Sequence, residues 1–146
     1  MLMTIARVAD DIARYDLKKL TDDRTIIRQK TGEDFVEREA NGRLLLDING
    51  AAILCGYADL RNAGYPVKLA GTIMSRIRSA MQEHPEANQF VNVTLENGFN
   101  FTVAADTVDL SSGFNSGGYV SHAVTIDVRN LRERVRRAME AENVAA

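Results

Sequence analysis

The two prolines, Pro66 and Pro85, constrain this chain more than any other residues. Proline has no backbone N–H and its ring clashes with the preceding turn, so a helix starts at it or stops before it. Ahead of Pro66 lies Gly64, a residue suited to the left-handed position that ends a helix. Upstream, Ile53, Leu54, Tyr57, Ala58 and Leu60 recur at helical spacing. This predicts a helix capped by Asp47 or Asn49 and running to Asn62 or Ala63. A second helix then carries Pro66 in its first turn, buries Leu69, Ala70, Ile73, Ile77 and Met81, and stops before Pro85.

Two further helices are predicted upstream. Ile5, Val8, Ala9 and Ile12 form an apolar stripe that Thr4 can cap, with an end near Tyr15. Thr21 is the expected N-cap of the next helix. Asp22 and Asp23 then favour its positive end, and Gly32 is its C′ residue. Asn41-Gly42 between Phe35–Arg38 and Leu44–Leu46 signals a hairpin, because a type I′ turn needs positive φ at both central positions. A two-stranded hairpin is therefore expected over Phe35–Asp47.

The character changes beyond Pro85. Phe90–Leu95, a turn at Glu96-Asn97-Gly98, and Phe99–Val103 read as a second hairpin. Ser111–Gly118 reads as a loop, and Tyr119–Val128 as a third strand. Asn130 is the expected cap of a last helix with Leu131, Val135 and Ala138 on one face. The fold class expected is α+β, with an N-terminal winged helix-turn-helix, a small antiparallel β segment and a C-terminal helix. Residues 1–85 form the first expected domain. Residues 86–146 form a strand-rich appendage suited to dimerisation or partner contact.

Charge narrows the partners. Residues 1–80 hold 13 Lys/Arg against 11 Asp/Glu, residues 81–128 hold none against 6, and residues 129–146 hold 5 against 3. An anionic partner should therefore meet the N-terminal part or the last helix. Arg7 and Asp10 break the apolar run that a signal peptide needs, and no stretch approaches a membrane span. The cytoplasm is the expected compartment, with no membrane partner. Cys55 is the only cysteine, so no disulfide can form within the chain.

The order helix, turn, helix, hairpin, helix suits duplex DNA. The second helix of such a unit enters the major groove, and a following hairpin can lie along the phosphates as a wing. Arg24 and Arg28 are of the type that pairs bidentately with guanine, and Thr25 of the type that donates to phosphate. Lys30 adds a cation to the same helix. Arg38 and Arg43 flank the hairpin tip. These six residues form the expected DNA-binding set.

The same residues resemble the MerR family of transcription regulators over residues 4–81. The stretches that carry the likeness are Arg24-Thr25-Ile26-Ile27-Arg28, Asn41-Gly42-Arg43-Leu44, and Asp59 to Ala70 through Leu60-Arg61-Asn62-Ala63-Gly64. The resemblance implies a recognition helix, a wing, and a helix pair separated by Gly64. An extra Ile27 displaces the arginine that would follow Thr-Ile, and the C-terminal part is atypical of the family. The implied function is a sequence-specific regulator that binds duplex DNA as a homodimer, with the effector unknown.

Other chemistry finds little footing. His84 and His122 lack a nearby third ligand, and Gly113–Gly118 lacks the lysine and following helix of a phosphate loop. No enzyme activity, cofactor or metal is expected. The alternative function is a non-enzymatic module for protein interaction or ligand sensing on a winged-helix fold, with the acidic region 81–128 as its working surface.

Overall fold

A computed structural model describes residues 2–31, Phe35 and residues 45–145. Among them the fold is α+β, with five helices and two antiparallel sheets. The order is β1 (Met3–Thr4), α1 (Ile5–Arg7, continuing as π-helical turns over Val8–Ala13), α2 (Leu17–Thr31), β2 (Leu45–Leu46), α3 (Ile48–Asn62), α4 (Val67–Glu83), β3 (Gln89–Leu95), β4 (Asn100–Ala104), β5 (Phe114–Asn115), β6 (Gly118–Asp127) and α5 (Val128–Ala145). The chain divides into two compact units. One comprises residues 1–75 with 130–146, and the other residues 76–129. The last helix therefore belongs largely with the N-terminal residues, not with the strands that precede it.

In the first unit, α3 is the central helix. Every residue from Ala51 to Ala58 is buried, as a helix that is apolar on all sides must be. Its ends follow from local chemistry. The Asp47 side chain accepts from Gly50 N–H at 2.8 Å. At the other end Gly64 takes φ 98°, its N–H reaches Arg61 O, and Tyr65 N–H reaches Leu60 O. This pair of bonds is a Schellman motif that satisfies the last carbonyls. Pro66 then stands just before α4, and its carbonyl accepts from Ala70 N–H. Gly56 of α3 lets Met74 and Leu131 approach the helix backbone. The expected stripe of α4 holds except at Leu69, which is 41% exposed, while Met74 is fully buried.

Helix α2 starts four residues before the expected cap. Asp16 accepts from Lys19 N–H through its side chain, and its carbonyl accepts from Leu20 N–H. Thr21 lies inside the helix, where its hydroxyl donates back to Leu17 O. Asp22 and Asp23 are thus in the second turn, away from the helix end. The short strands β1 and β2 pair antiparallel, Met3 with Leu46 and Thr4 with Leu45. Of the expected hairpin over Phe35–Asp47, residues 36–44 lie outside the described residues.

In the second unit the four strands run in the order β4-β3-β6-β5, all antiparallel. The expected turn at Glu96–Gly98 joins β3 to β4, with Gly98 at φ 89°. One face of the sheet buries Val91, Val93 and Leu95 beneath Phe101, Val108, Leu110 and Val120. The other face carries Asn92, 3% exposed, whose amide donates to Asn100 Oδ1 and Thr102 Oγ1. The Asn100 amide donates back to Asn92 Oδ1 and to Thr94 Oγ1, and Arg76 donates to Asn100 O. This polar ladder satisfies its members within the sheet, which is what makes burial of Asn92 tolerable. Helix α5 begins at Val128, two residues before the expected cap at Asn130.

Candidate nucleic-acid interface

Four side chains converge beneath α2. Asp23 is 5% exposed and projects from the apolar stripe between Leu20 and Ile27. Its Oδ2 accepts a hydrogen bond from Tyr15 Oη and another from Tyr57 Oη at 2.8 Å. Arg61 Nε lies 3.4 Å from the same oxygen and 3.3 Å from Tyr15 Oη, while its Nη1 donates to Tyr65 O. The Tyr15 ring meets Tyr57 edge-on, and Phe35 stacks on Tyr57 with centroids 4.4 Å apart. One carboxylate thus ties α2 to Tyr15, two residues beyond the π-helical turns, and to two turns of α3. A single tie of this kind fixes both the position and the rotation of a helix.

The hub also shapes titration. Burial, then the bond to Asp23, pushes the Tyr15 phenol up to about 12, and the same causes raise Tyr57 further. Burial pushes the Cys55 thiol up to about 11. Each group is held in its neutral form in the folded protein, so its contribution is complete below its unfolded pKa and is lost as pH rises through the folded one. Stability should therefore hold to about pH 9 and fall progressively towards pH 12. Urea midpoints measured across that range check this, and a midpoint unchanged to pH 12 contradicts it.

The opposite side of α2 is solvent-facing. Lys18, Lys19, Thr21, Asp22, Thr25, Ile26, Arg28, Gln29 and Lys30 are exposed. Four of these are cations and only Asp22 is an acid. Lys19 Nζ also lies 5.0 Å above the Tyr15 ring, which leaves its charge at the surface. The Thr25 hydroxyl donates to Thr21 O at 3.1 Å.

Of the expected DNA-binding residues, the fold brings Thr25, Arg28 and Lys30 onto this outward surface. Arg24 is 5% exposed and lies on the inner side of the helix with Asp23 and Ile27. Arg38 and Arg43 lie outside the described residues. Lys18 and Gln29 were not in the expected set. They share a face with Thr25 at spacings of seven and four residues, which periodicity alone reveals once the helix starts at Leu17. Among the described residues no cluster of three potential metal ligands occurs, and no helix is long and apolar enough to cross a membrane. Comparison with protein-family models, curated proteins and solved structures returns no match.

Proposed function

We propose that the first unit is a winged helix-turn-helix that binds duplex DNA, with α2 in the major groove and the segment carrying Arg38 and Arg43 on the phosphate backbone. The observation that carries this reading is the outward face of α2, where Lys18, Lys19, Arg28 and Lys30 surround Thr25 and Gln29 with Asp22 as the only acid. Cations supply sequence-independent attraction to phosphates, and short polar side chains between them suit base edges. The 15 residues of α2 make a rod of about 22 Å, long enough to lie across a major groove. Burial of Asp23 in the hub removes one of the two acids that would otherwise oppose the phosphates. The likeness to MerR regulators agrees with this reading and makes a regulatory role in the cytoplasm, as a dimer and without catalysis, part of the proposal.

Selection from a random duplex pool at low salt tests it. Retention of a defined sequence class by the full chain is the expected result, and an unenriched pool sinks the proposal. One observation favours a second reading, a protein-interaction module. Phe99, Phe114 and Tyr119 are 54%, 49% and 62% exposed at one end of the sheet, where Leu95 N–H meets Phe99 O and Glu96 N–H meets Tyr119 O. On that reading Arg28→Glu leaves biological activity intact, whereas DNA binding requires its loss.

A further inference from the structure

Strand β6 is long, and only its start is covered on the outer edge. Strand β5 pairs with Gly118 and Tyr119 alone, and Val120 N–H reaches Gly113 O. From Val120 to Asp127 the strand pairs with β3 on its inner edge. Beyond Val120 the outer edge has no strand partner among the described residues. Ser121, His122, Ala123 and Thr125 are all exposed. Successive strand residues point to opposite faces, so both faces are open there as well as the edge.

Soluble proteins blunt such an edge with lysine, proline or inward charge. Tyr119–Ile126 holds no proline and no Lys, Arg, Asp or Glu. It is instead self-complementary. Set antiparallel to itself about Ala123, the strand places Ser121 opposite Thr125 of the second copy, His122 opposite Val124, and Ala123 opposite Ala123. Hydroxyl then meets hydroxyl across the strands, a favourable cross-strand pair, and small side chains meet at the axis. The two Asp127 carboxylates fall at opposite ends of the ladder, about 27 Å apart at 3.4 Å per residue and well beyond the screening length of about 8 Å at physiological salt. Nothing charged in the strand resists this pairing.

We infer that β6 is a homodimerisation edge, pairing antiparallel with β6 of a second copy across a two-fold axis at Ala123 to join two four-stranded sheets. The inference rests on β6 and not on the DNA reading. If both hold, the dimer supplies two copies of α2 for paired half-sites.

Sedimentation of the full chain without DNA tests it. Wild type should sediment as a dimer at twice 16.1 kDa. Ala123→Lys and Ala123→Glu each place like charges face to face at the axis, so each alone should be monomeric with an unchanged circular dichroism spectrum. An equimolar mixture of the two should restore the dimer. A monomeric wild type, dimers that persist in the single variants, or a mixture that stays monomeric would each overturn the inference. Should either Ala123 variant fail to fold, the double variant Ser121→Glu with Thr125→Glu, which sets like charges directly opposite each other in two cross-strand pairs, replaces the pair. It must then be folded and dissociated, and a folded dimer overturns the inference equally.

Discussion

Asp23→Ala should lower the unfolding free energy by about 3–5 kcal/mol, the range for removing one partner of a buried charged pair. The substitution leaves two tyrosine hydroxyls and the Arg61 guanidinium without their common acceptor. Each uncompensated buried polar group costs roughly 1–3 kcal/mol, and Arg61, 20% exposed, recovers part of its share from water. A domain with a total stability of about 5–15 kcal/mol loses a large fraction of it. Asp22→Ala, one residue away on the solvent side, should change stability by no more than about 0.5 kcal/mol. Urea denaturation followed by circular dichroism separates the two. The expected result is a lower midpoint for Asp23→Ala at an unchanged slope. Two variants with equal midpoints would mean that the hub does not hold α2.

The second large effect is expected at Gly71. A Cβ there would stand 2.7, 2.8 and 3.2 Å from Cδ1, Cγ1 and Cγ2 of Ile27. Ile27 is 1% exposed, and a β-branched side chain in a helix has essentially one rotamer, so it cannot swing clear. Gly71→Ala gains about 1 kcal/mol in helix propensity against an overpacking cost of about 1–3 kcal/mol. Gly71→Val adds two more methyl groups to the clash and should destabilise by about 3 kcal/mol. The double variant Gly71→Val with Ile27→Ala should recover part of that loss, since the two sites share one space. Additivity of the two single changes would contradict the contact. Gly56 is a useful contrast, because its nearest neighbour is Met74 Cε, the tip of an unbranched side chain with three rotatable bonds. The same Gly71–Ile27 contact pins α2 to α4, so its loss should also disturb the outward basic face.

Local chemistry was legible in the sequence wherever one residue decides the outcome. Gly64 and Pro66 set the end of α3 and the start of α4, and Glu96-Asn97-Gly98 set the β3–β4 turn, whereas the cap of α3 stood open between Asp47 and Asn49 until the fold gave it to Asp47. Where two residues competed for one role, sequence alone did not choose. Thr21 is a good cap in isolation, but Asp16 serves, because starting at Leu17 lets Leu20 join Asp23 and Ile27 on the buried side. Asp23 itself looked like a helix-end acid. Its partners lie 8, 34 and 38 residues away, a convergence that only the fold supplies. The clue was its place in the stripe Leu20-Asp23-Ile27, where an acid needs a buried partner. The inward turn of Arg24 follows from the same earlier start. Proximity in sequence also suggested that the last helix belongs with the strands. From Asn130 onward it belongs to the first unit instead, where Arg134 forms a two-pronged pair with Asp59.

The most direct measurement is the affinity of the full chain for a selected duplex as a function of salt, compared with Arg28→Glu. Each phosphate neutralised contributes about 0.9 to the slope of log K against log salt. Wild-type binding should weaken steeply from low to moderate salt, and Arg28→Glu should bind more weakly with a slope shallower by about 1. Salt-independent binding, or an Arg28→Glu curve that overlays the wild type, would contradict a groove-facing role for α2.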